Sequence, residues 1–202
     1  MEDSPLSLNE FDFEYPEHLV AQEPVKPRGA SRLLVVSNDE GLEATYFSEL
    51  ERFLRPKDVL VLNVTKVLKA RVAARKPTGG RVELLFERLV ASDVDGSSTW
   101  LSLARPAKGL KRGGELWCGD CRLEIGERRG MFVEVRLPIA PEDFFSSYGA
   151  LPLPPYIQRE ARADDDVSYQ PVFAKELGAV AAPTASLHFT EEQLASLAEK
   201  GR

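Results

Sequence analysis

Cysteine, methionine, histidine and tryptophan are all scarce: each occurs twice in 202 residues. The two cysteines stand together as Cys118-Gly-Asp-Cys121. A structural zinc site needs four ligands, and no second cysteine pair supplies them. Gly119-Asp120 lies between two strand-like runs and reads as a two-residue hairpin turn, which sets the cysteines opposite each other. No G-x-G-x-x-G follows a strand, and Thr78-Gly79-Gly80 lacks P-loop spacing, so a glycine-rich nucleotide cradle gains no support. No apolar run approaches the ~20 residues that span a bilayer. Residues 1–10 are polar and acidic, without the basic start and apolar core of a signal peptide. The expected compartment is the cytoplasm, with no membrane contact and no metal.

Net charge is −6, from 26 basic and 32 acidic residues, which excludes blanket affinity for nucleic acid. It leaves room for local basic surface, because the field at a patch depends on nearby charges. From Lys66 to Arg81 there are six cations (Lys66, Lys69, Arg71, Arg75, Lys76, Arg81) and no acid. Arg105, Lys108, Lys111 and Arg112 form a second acid-free group. A hydrophobic fraction of 43% and a charged fraction of 29% match a soluble globular protein with one or two domains.

The periodicity predicts a strand-rich chain with a few short helices. Arg32–Ser37 and Asp58–Asn63 read as short buried-type strands. Ser48–Leu54 reads as a short helix capped by Ser48 and closed by Arg55-Pro56. Along the extended segment that follows, Lys69, Arg71 and Arg75 share one face, and Leu68, Ala70 and Val72 share the other. Strand-like runs then recur at Arg81–Val90, Thr99–Arg105, Glu115–Cys118, Arg122–Gly126 and Met131–Leu137, separated by turn residues. Such spacing predicts a small antiparallel barrel or sandwich. Pro141–Tyr148 reads as a helix. Pro152, Pro154 and Pro155 predict an extended path. Arg159–Asp166 reads as a charged, solvated loop, because three adjacent carboxylates rarely converge on one ion. Thr190-x-x-Gln193 fits a capping box, with Leu194, Leu197 and Ala198 as the apolar stripe and Gly201 as the stop.

The densest signal is Gly178-Ala-Val-Ala-Ala-Pro-Thr-Ala-Ser-Leu-His-Phe-Thr190. Small side chains let the backbone approach a ligand closely. Pro183 interrupts regular structure. Thr184 and His188 then offer groups that exchange hydrogen bonds or protons. This segment resembles the Gly-Ala-Val-Ala-Ala-Pro-Thr-Ala-Gly-Leu-His-Phe signature of the S-adenosylmethionine:tRNA ribosyltransferase-isomerases of the queuosine pathway. Phe11-Asp-Phe13, Ser31-Arg-Leu-Leu-Val35, Val61-Leu-Asn-Val-Thr-Lys-Val67, Thr78-Gly-Gly80 with Val82–Leu85, Leu151–Ile157 and Tyr169-Gln170 resemble further blocks of that family, in the same order. The chain departs from the pattern at Val64 (Asp or Asn in the family), Ser186 (Gly), Leu68-Lys69, Ala150-Leu151, Pro171 and Phe173. The family's later blocks, of His-Val-Gly-x-Gly-Thr-Phe and Thr-Asn-Phe-His-Leu-Pro type, have no counterpart here.

The resemblance implies a mixed α/β fold. An outer domain from residues 1–68 and 149–202 would carry an inserted β-barrel at 69–148. It implies tRNA modification: the ribosyl group of S-adenosylmethionine is transferred to 7-aminomethyl-7-deazaguanine in tRNA and isomerised, giving epoxyqueuosine. S-adenosylmethionine is then a co-substrate, a tRNA with a queuosine-type anticodon is the partner, and a monomer is the expected state. The sulfonium acidifies adjacent C–H bonds, and adenine leaves more easily when protonated, so a group titrating near neutrality suits the chemistry. His188 is the candidate, with loop ordering as its structural alternative. Thr184 is the second catalytic candidate, with a turn hydroxyl as its alternative.

Asn63, Thr65, Lys66, Arg71, Glu83, Tyr156 and Pro183 are the candidate substrate-binding residues. Turn formation competes for Asn63 and Thr65, and packing between domains for Tyr156. A solvent-facing strand position competes for Glu83. Lys69, Arg75 and Lys76 are candidate nucleic-acid contacts, against a merely solvated basic face. If Ser186 occupies a position that needs positive φ, it carries strain that glycine avoids. A rival reading from another class is a non-catalytic RNA-binding or interaction module of the same fold. A methyltransferase is a weaker third, because no glycine-rich adenosine loop is present.

Overall fold

Alternation of apolar and polar residues builds the largest unit of this protein. The computed structural model describes residues 7–37 and 41–200. Six strands close into an antiparallel barrel: β4 (Arg71–Arg75), β5 (Arg81–Ser92), β6 (Ser98–Arg105), β7 (Glu115–Cys118), β8 (Cys121–Arg129) and β9 (Phe132–Leu137). Their order is β4-β5-β6-β9-β8-β7, and Arg75 pairs with Trp117 to return β7 to β4. Every second residue points inward, so Val72, Val82, Leu84, Phe86, Leu116, Leu123, Ile125, Val135 and Leu137 are almost wholly buried. Register shifts between Phe86 and Arg88, and between Ile125 and Arg128, turn the sheet. At the second shift a Cβ on Gly126 would lie 2.8 Å from that of Glu134, so only glycine fits.

Helix α1 (Pro141–Tyr148) plugs the barrel. Pro141 pre-sets the first helical φ. Phe144 and Phe145 meet Phe86 edge-on, at centroid separations of 5.7 and 5.3 Å, and Phe145 meets Trp100 at 5.2 Å. The chain leaves α1 through the two-residue strand β10 (Gly149–Ala150), which pairs with β4. The Gly149 backbone passes so close to Lys69 that a Cβ there would overlap the Lys69 carbonyl oxygen.

The barrel strands lie within a few residues of their sequence-predicted limits, and the mixed, strand-rich fold class is borne out. The cysteines are register partners across Gly119-Asp120, as expected. Burial pushes the Cys118 thiol up to about 12, so it is a core residue rather than a nucleophile.

The remaining residues pack around two smaller apolar clusters. Strands β1 (Arg32–Ser37) and β2 (Gly41–Tyr46) form a hairpin. Strand β3 (Thr65–Val67) runs parallel to β11 (Glu176–Ala179). A short helical turn, α2 (Asp165–Ser168), follows the proline-rich segment, and α3 (Glu191–Glu199) closes the described chain. The capping box forms as predicted: Thr190 Oγ1 accepts from the Gln193 N–H, and Gln193 Oε1 accepts from the Thr190 N–H. Leu197 is buried and Leu194 packs beside it. The expected stop, Gly201, lies outside the described residues.

Four expectations need correction. Asp58–Asn63 is not a strand; Val59 and Val61 stand exposed, and no described strand pairs with the run. The Ser48–Leu54 helix is a 3-10 helix over Phe47–Phe53, whose cap position is Tyr46 rather than Ser48. The path through Pro154 turns instead of extending, because the Ile157 N–H donates to the Pro154 carbonyl at 2.9 Å. Ser186 sits in the 3-10 helix Thr184–His188, and Lys57 is the one non-glycine with positive φ among the described residues, so Ser186 carries no left-handed strain.

Candidate functional site

Two cavities gather half of the predicted residues. The first, of about 390 Å³, lies between a strap (residues 21–31), the turn at Tyr156-Ile157, the α2 region and the Thr184–His188 turn. It places Tyr156, Thr184 and His188 on one lining, although the first and last are 32 residues apart. Arg28 and Gly29 also line it. Tyr156 is half-exposed, so an aromatic face is open to a ligand. Thr184 is exposed at the start of its turn.

Arg28 organises this cavity. Its guanidinium donates to the backbone carbonyls of Val167 (2.7 Å), Leu187 (2.9 Å) and Gln170 (3.0 Å). Three carbonyls absorb its donors without neutralising its charge. Gly29 follows with φ +87°, a conformation glycine adopts freely, and brings the strap against the His188 carbonyl and Thr190. Gln22 fixes the opposite wall. Its side-chain oxygen accepts from the Gln158 N–H at 2.7 Å, and its amide donates to the Tyr156 carbonyl at 3.0 Å.

His188 is half-buried against Phe47, with ring centroids 5.2 Å apart. Burial, then the positive field of Arg28, holds its imidazole below the ordinary histidine range. The ring is therefore neutral at pH 7 and able to accept a proton. Stability should follow. The unfolded chain protonates this histidine near 6.5, whereas the folded chain resists until lower pH. Stability is thus fully present above about 6.5 and lost as pH falls through the window below it. Melting temperature between pH 5 and 7 should rise more steeply in the wild type than in His188→Gln; identical slopes would contradict this.

The second cavity, a cleft of about 620 Å³, lies between β4–β5 and residues 148–161. It takes Arg71, Arg75 and Glu83. Arg71 approaches Glu83 at 3.7 Å. The predicted division of faces holds: Leu68, Ala70 and Val72 are buried, and Lys69, Arg71 and Arg75 lie on the outer side.

The other predicted residues line neither cavity. Asn63 Oδ1 accepts from the Thr65 N–H (3.0 Å) and hydroxyl (2.6 Å), which is the turn alternative. Thr65 and Lys66 belong to β3 itself, so they do not lie beyond a strand end. Pro183 precedes the Thr184 turn without lining the cavity. Two of the three expected nucleic-acid contacts are already engaged. Lys69 Nζ meets Asp166 at 2.6 Å, and Lys76 Nζ donates to the Lys108 carbonyl at 2.7 Å.

The acidic loop also differs from expectation. Asp165 is 2% exposed and takes Arg159 through both oxygens, at 2.6 and 2.8 Å. Asp164 pairs with Lys26 and Asp166 with Lys69, so the three carboxylates diverge onto three cations. Among the described residues no cluster of histidine, cysteine or carboxylate groups could hold a metal ion.

Residues 8–202 match the family described as queuosine biosynthesis protein. The chain belongs to that family. It is 42% identical over 200 residues to the S-adenosylmethionine:tRNA ribosyltransferase-isomerase of Anaeromyxobacter sp., covering 97% of this chain and 57% of that protein. It is 44% identical over 196 residues to the protein of the same name from Acidithiobacillus ferrooxidans, covering 95% and 55%. A solved structure, the S-adenosylmethionine tRNA ribosyltransferase of Thermotoga maritima, is 31% identical, covers 95% of this chain and 55% of that one, and superposes with a TM-score of 0.38. The chain thus spans a little over half the length of these relatives. Within this queuosine biosynthesis family member, the bracing roles of Arg28, Gln22 and the Arg159–Asp165 pair escaped the sequence reading. Their only local signal is the turn chemistry of Pro27-Arg28-Gly29, which announces a bend and not carbonyl partners 139 to 159 residues away.

Proposed function

We propose that this chain carries the donor site of a tRNA-modifying transferase–isomerase. S-adenosylmethionine supplies its ribosyl group to the aminomethyl nitrogen of a 7-deazaguanine in tRNA. Adenine and methionine leave, and isomerisation gives epoxyqueuosine. The work is done in the cytoplasm. Support comes from the family membership and from the relatives' names. The observation that carries the reading is the convergence of Tyr156, Thr184 and His188 on one open cavity.

Each residue has a task there. Neutral His188 accepts the proton made acidic by the neighbouring sulfonium and can return it to the leaving adenine. The Thr184 hydroxyl hydrogen-bonds the donor ribose. Tyr156 stacks on a purine, as aromatic side chains do on unpaired bases. Arg28 is a positioning residue: it fixes the Leu187 carbonyl beside His188 and keeps the imidazole neutral.

The test is release of free adenine. Purified chain is incubated with S-adenosylmethionine and tRNA bearing the aminomethyl base, and the products are resolved by chromatography. Adenine and a tRNA heavier by the transferred ribosyl unit are expected. Tight RNA binding with neither product would favour the non-catalytic module. A mass gain of one methyl would favour a methyltransferase.

A further inference from the structure

The outer face of β4 and β5 holds its cations in an arrangement that costs stability until an anion answers it. Arg75 and Arg81 are direct cross-strand partners. Like charges opposite each other on a strand pair repel. Neither has a carboxylate within ion-pair distance among the described residues, whereas Arg71 beside them pairs with Glu83. Arg71 itself is incompletely satisfied, since its Nε is buried with no partner. Ala73 lies between Arg71 and Arg75, opposite Glu83, and its small side chain leaves the floor open. All three arginines line the 620 Å³ cleft. Its one other arginine, Arg159, is already neutralised by Asp165.

We propose that this cleft is a phosphodiester clamp for an RNA strand. Arg75 and Arg81 hold one backbone phosphate between them, and the half-exposed outer end of Arg71, whose Nε is sealed from the cleft, donates through Nη to an adjacent oxygen. Guanidinium forks suit phosphate geometry, and a bound anion converts the cross-strand repulsion into attraction. The volume lies within the ordinary range of ligand sites and admits a nucleotide unit. The inference rests on the reading that the chain acts on tRNA. It adds where the backbone is gripped, in a cavity distinct from that of Thr184 and His188.

The key variant is Arg81→Glu, which sets an opposite charge across from Arg75. In phosphate-free buffer its melting temperature should rise by about 1–4 °C as repulsion becomes attraction. Its affinity for tRNA, measured by fluorescence anisotropy at low salt, should fall by about tenfold or more. The slope of log affinity against log salt should shrink by roughly one to two. Arg55→Glu, the same charge change at an exposed residue that does not line the cleft, should leave affinity within about twofold by that electrostatic rule. Unchanged RNA affinity in Arg81→Glu, or an equal loss in Arg55→Glu, would overturn the clamp. So would millimolar inorganic phosphate displacing the RNA, which would mark a site for the free ion. Adenine release is read in parallel. A cleft that grips RNA without adenine release leaves the clamp standing and sinks the catalytic reading; adenine release with undiminished RNA affinity in Arg81→Glu does the reverse.

Discussion

Asp165→Ala is expected to destabilise the protein by about 3–5 kcal/mol, because it removes the two-pronged carboxylate partner of the mostly buried Arg159 and leaves it only the exposed Glu23. Asp165 is 2% exposed, accepts two bonds from Arg159, and takes a third from the Arg162 N–H at 2.7 Å. Arg159 is bound into the same network through Nε, which donates to the Gln22 carbonyl at 2.9 Å and meets Glu23 at 3.2 Å. For a chain of this size the loss corresponds to roughly 6–20 °C in melting temperature. Replacing both partners together, as Arg159→Met with Asp165→Leu, should recover much of it, since no charge is then left unpaired.

The pH dependence carries a sign. Hydrogen bonding to Arg159 holds the Asp165 carboxyl below its ordinary range. Its contribution is fully present above the unfolded value near 3.8 and is lost as pH falls from there through the lower folded value, so the gap between wild type and Asp165→Ala should shrink in acid. Thermal melts at pH 7 and pH 3 check both points; a difference below about 1 kcal/mol at pH 7, typical of an exposed pair, would contradict the account. The consequence reaches function, because this network holds the strap at residues 22–23 against the turn that carries Tyr156.

His188→Ala is the second large effect. Loss of a positioned general acid–base group lowers rate by about 10²- to 10⁴-fold. Adenine release at saturating S-adenosylmethionine and tRNA should fall by that factor, with donor affinity changing far less. Alanine also removes the ring that packs on Phe47, so His188→Asn, which keeps a polar side chain, should be equally slow while folding normally. Release within twofold of wild type in both variants would assign His188 to ordering the loop.

The barrel was legible because each of its strands carries its own instruction. Val82, Leu84 and Phe86 share one parity along β5, between Arg81 and Glu87, and Gly79, Gly96, Gly119 and Gly130 stand where the hairpins need positive φ. The capping box at Thr190 was legible for the same reason: partners three residues apart depend on nothing distant. What misled was tertiary. Asp58–Asn63 has the apolar pattern of a strand, but a strand also needs a neighbour, and no described segment pairs with it. Lys69 looked free for RNA because its partner, Asp166, is 97 residues away. Asp165 looked solvated because the guanidinium beside it stands six residues earlier in a loop whose closure no periodicity announces. In the candidate site the chemistry-bearing ends, Thr184 and His188, were readable. The residues that hold them, Arg28 and Gln22, act through backbone carbonyls and amides that leave no mark on sequence.

The central claim is that the cavity between the strap and the Thr184–His188 turn receives the sulfonium nucleoside. Crystals of the chain grown with S-adenosylmethionine test it most directly. The account predicts the adenine ring against Tyr156, the ribose within hydrogen-bond distance of Thr184, and the carbons beside the sulfonium facing His188. A donor bound instead in the arginine-lined cleft, with this cavity unoccupied at saturating concentration, would contradict it.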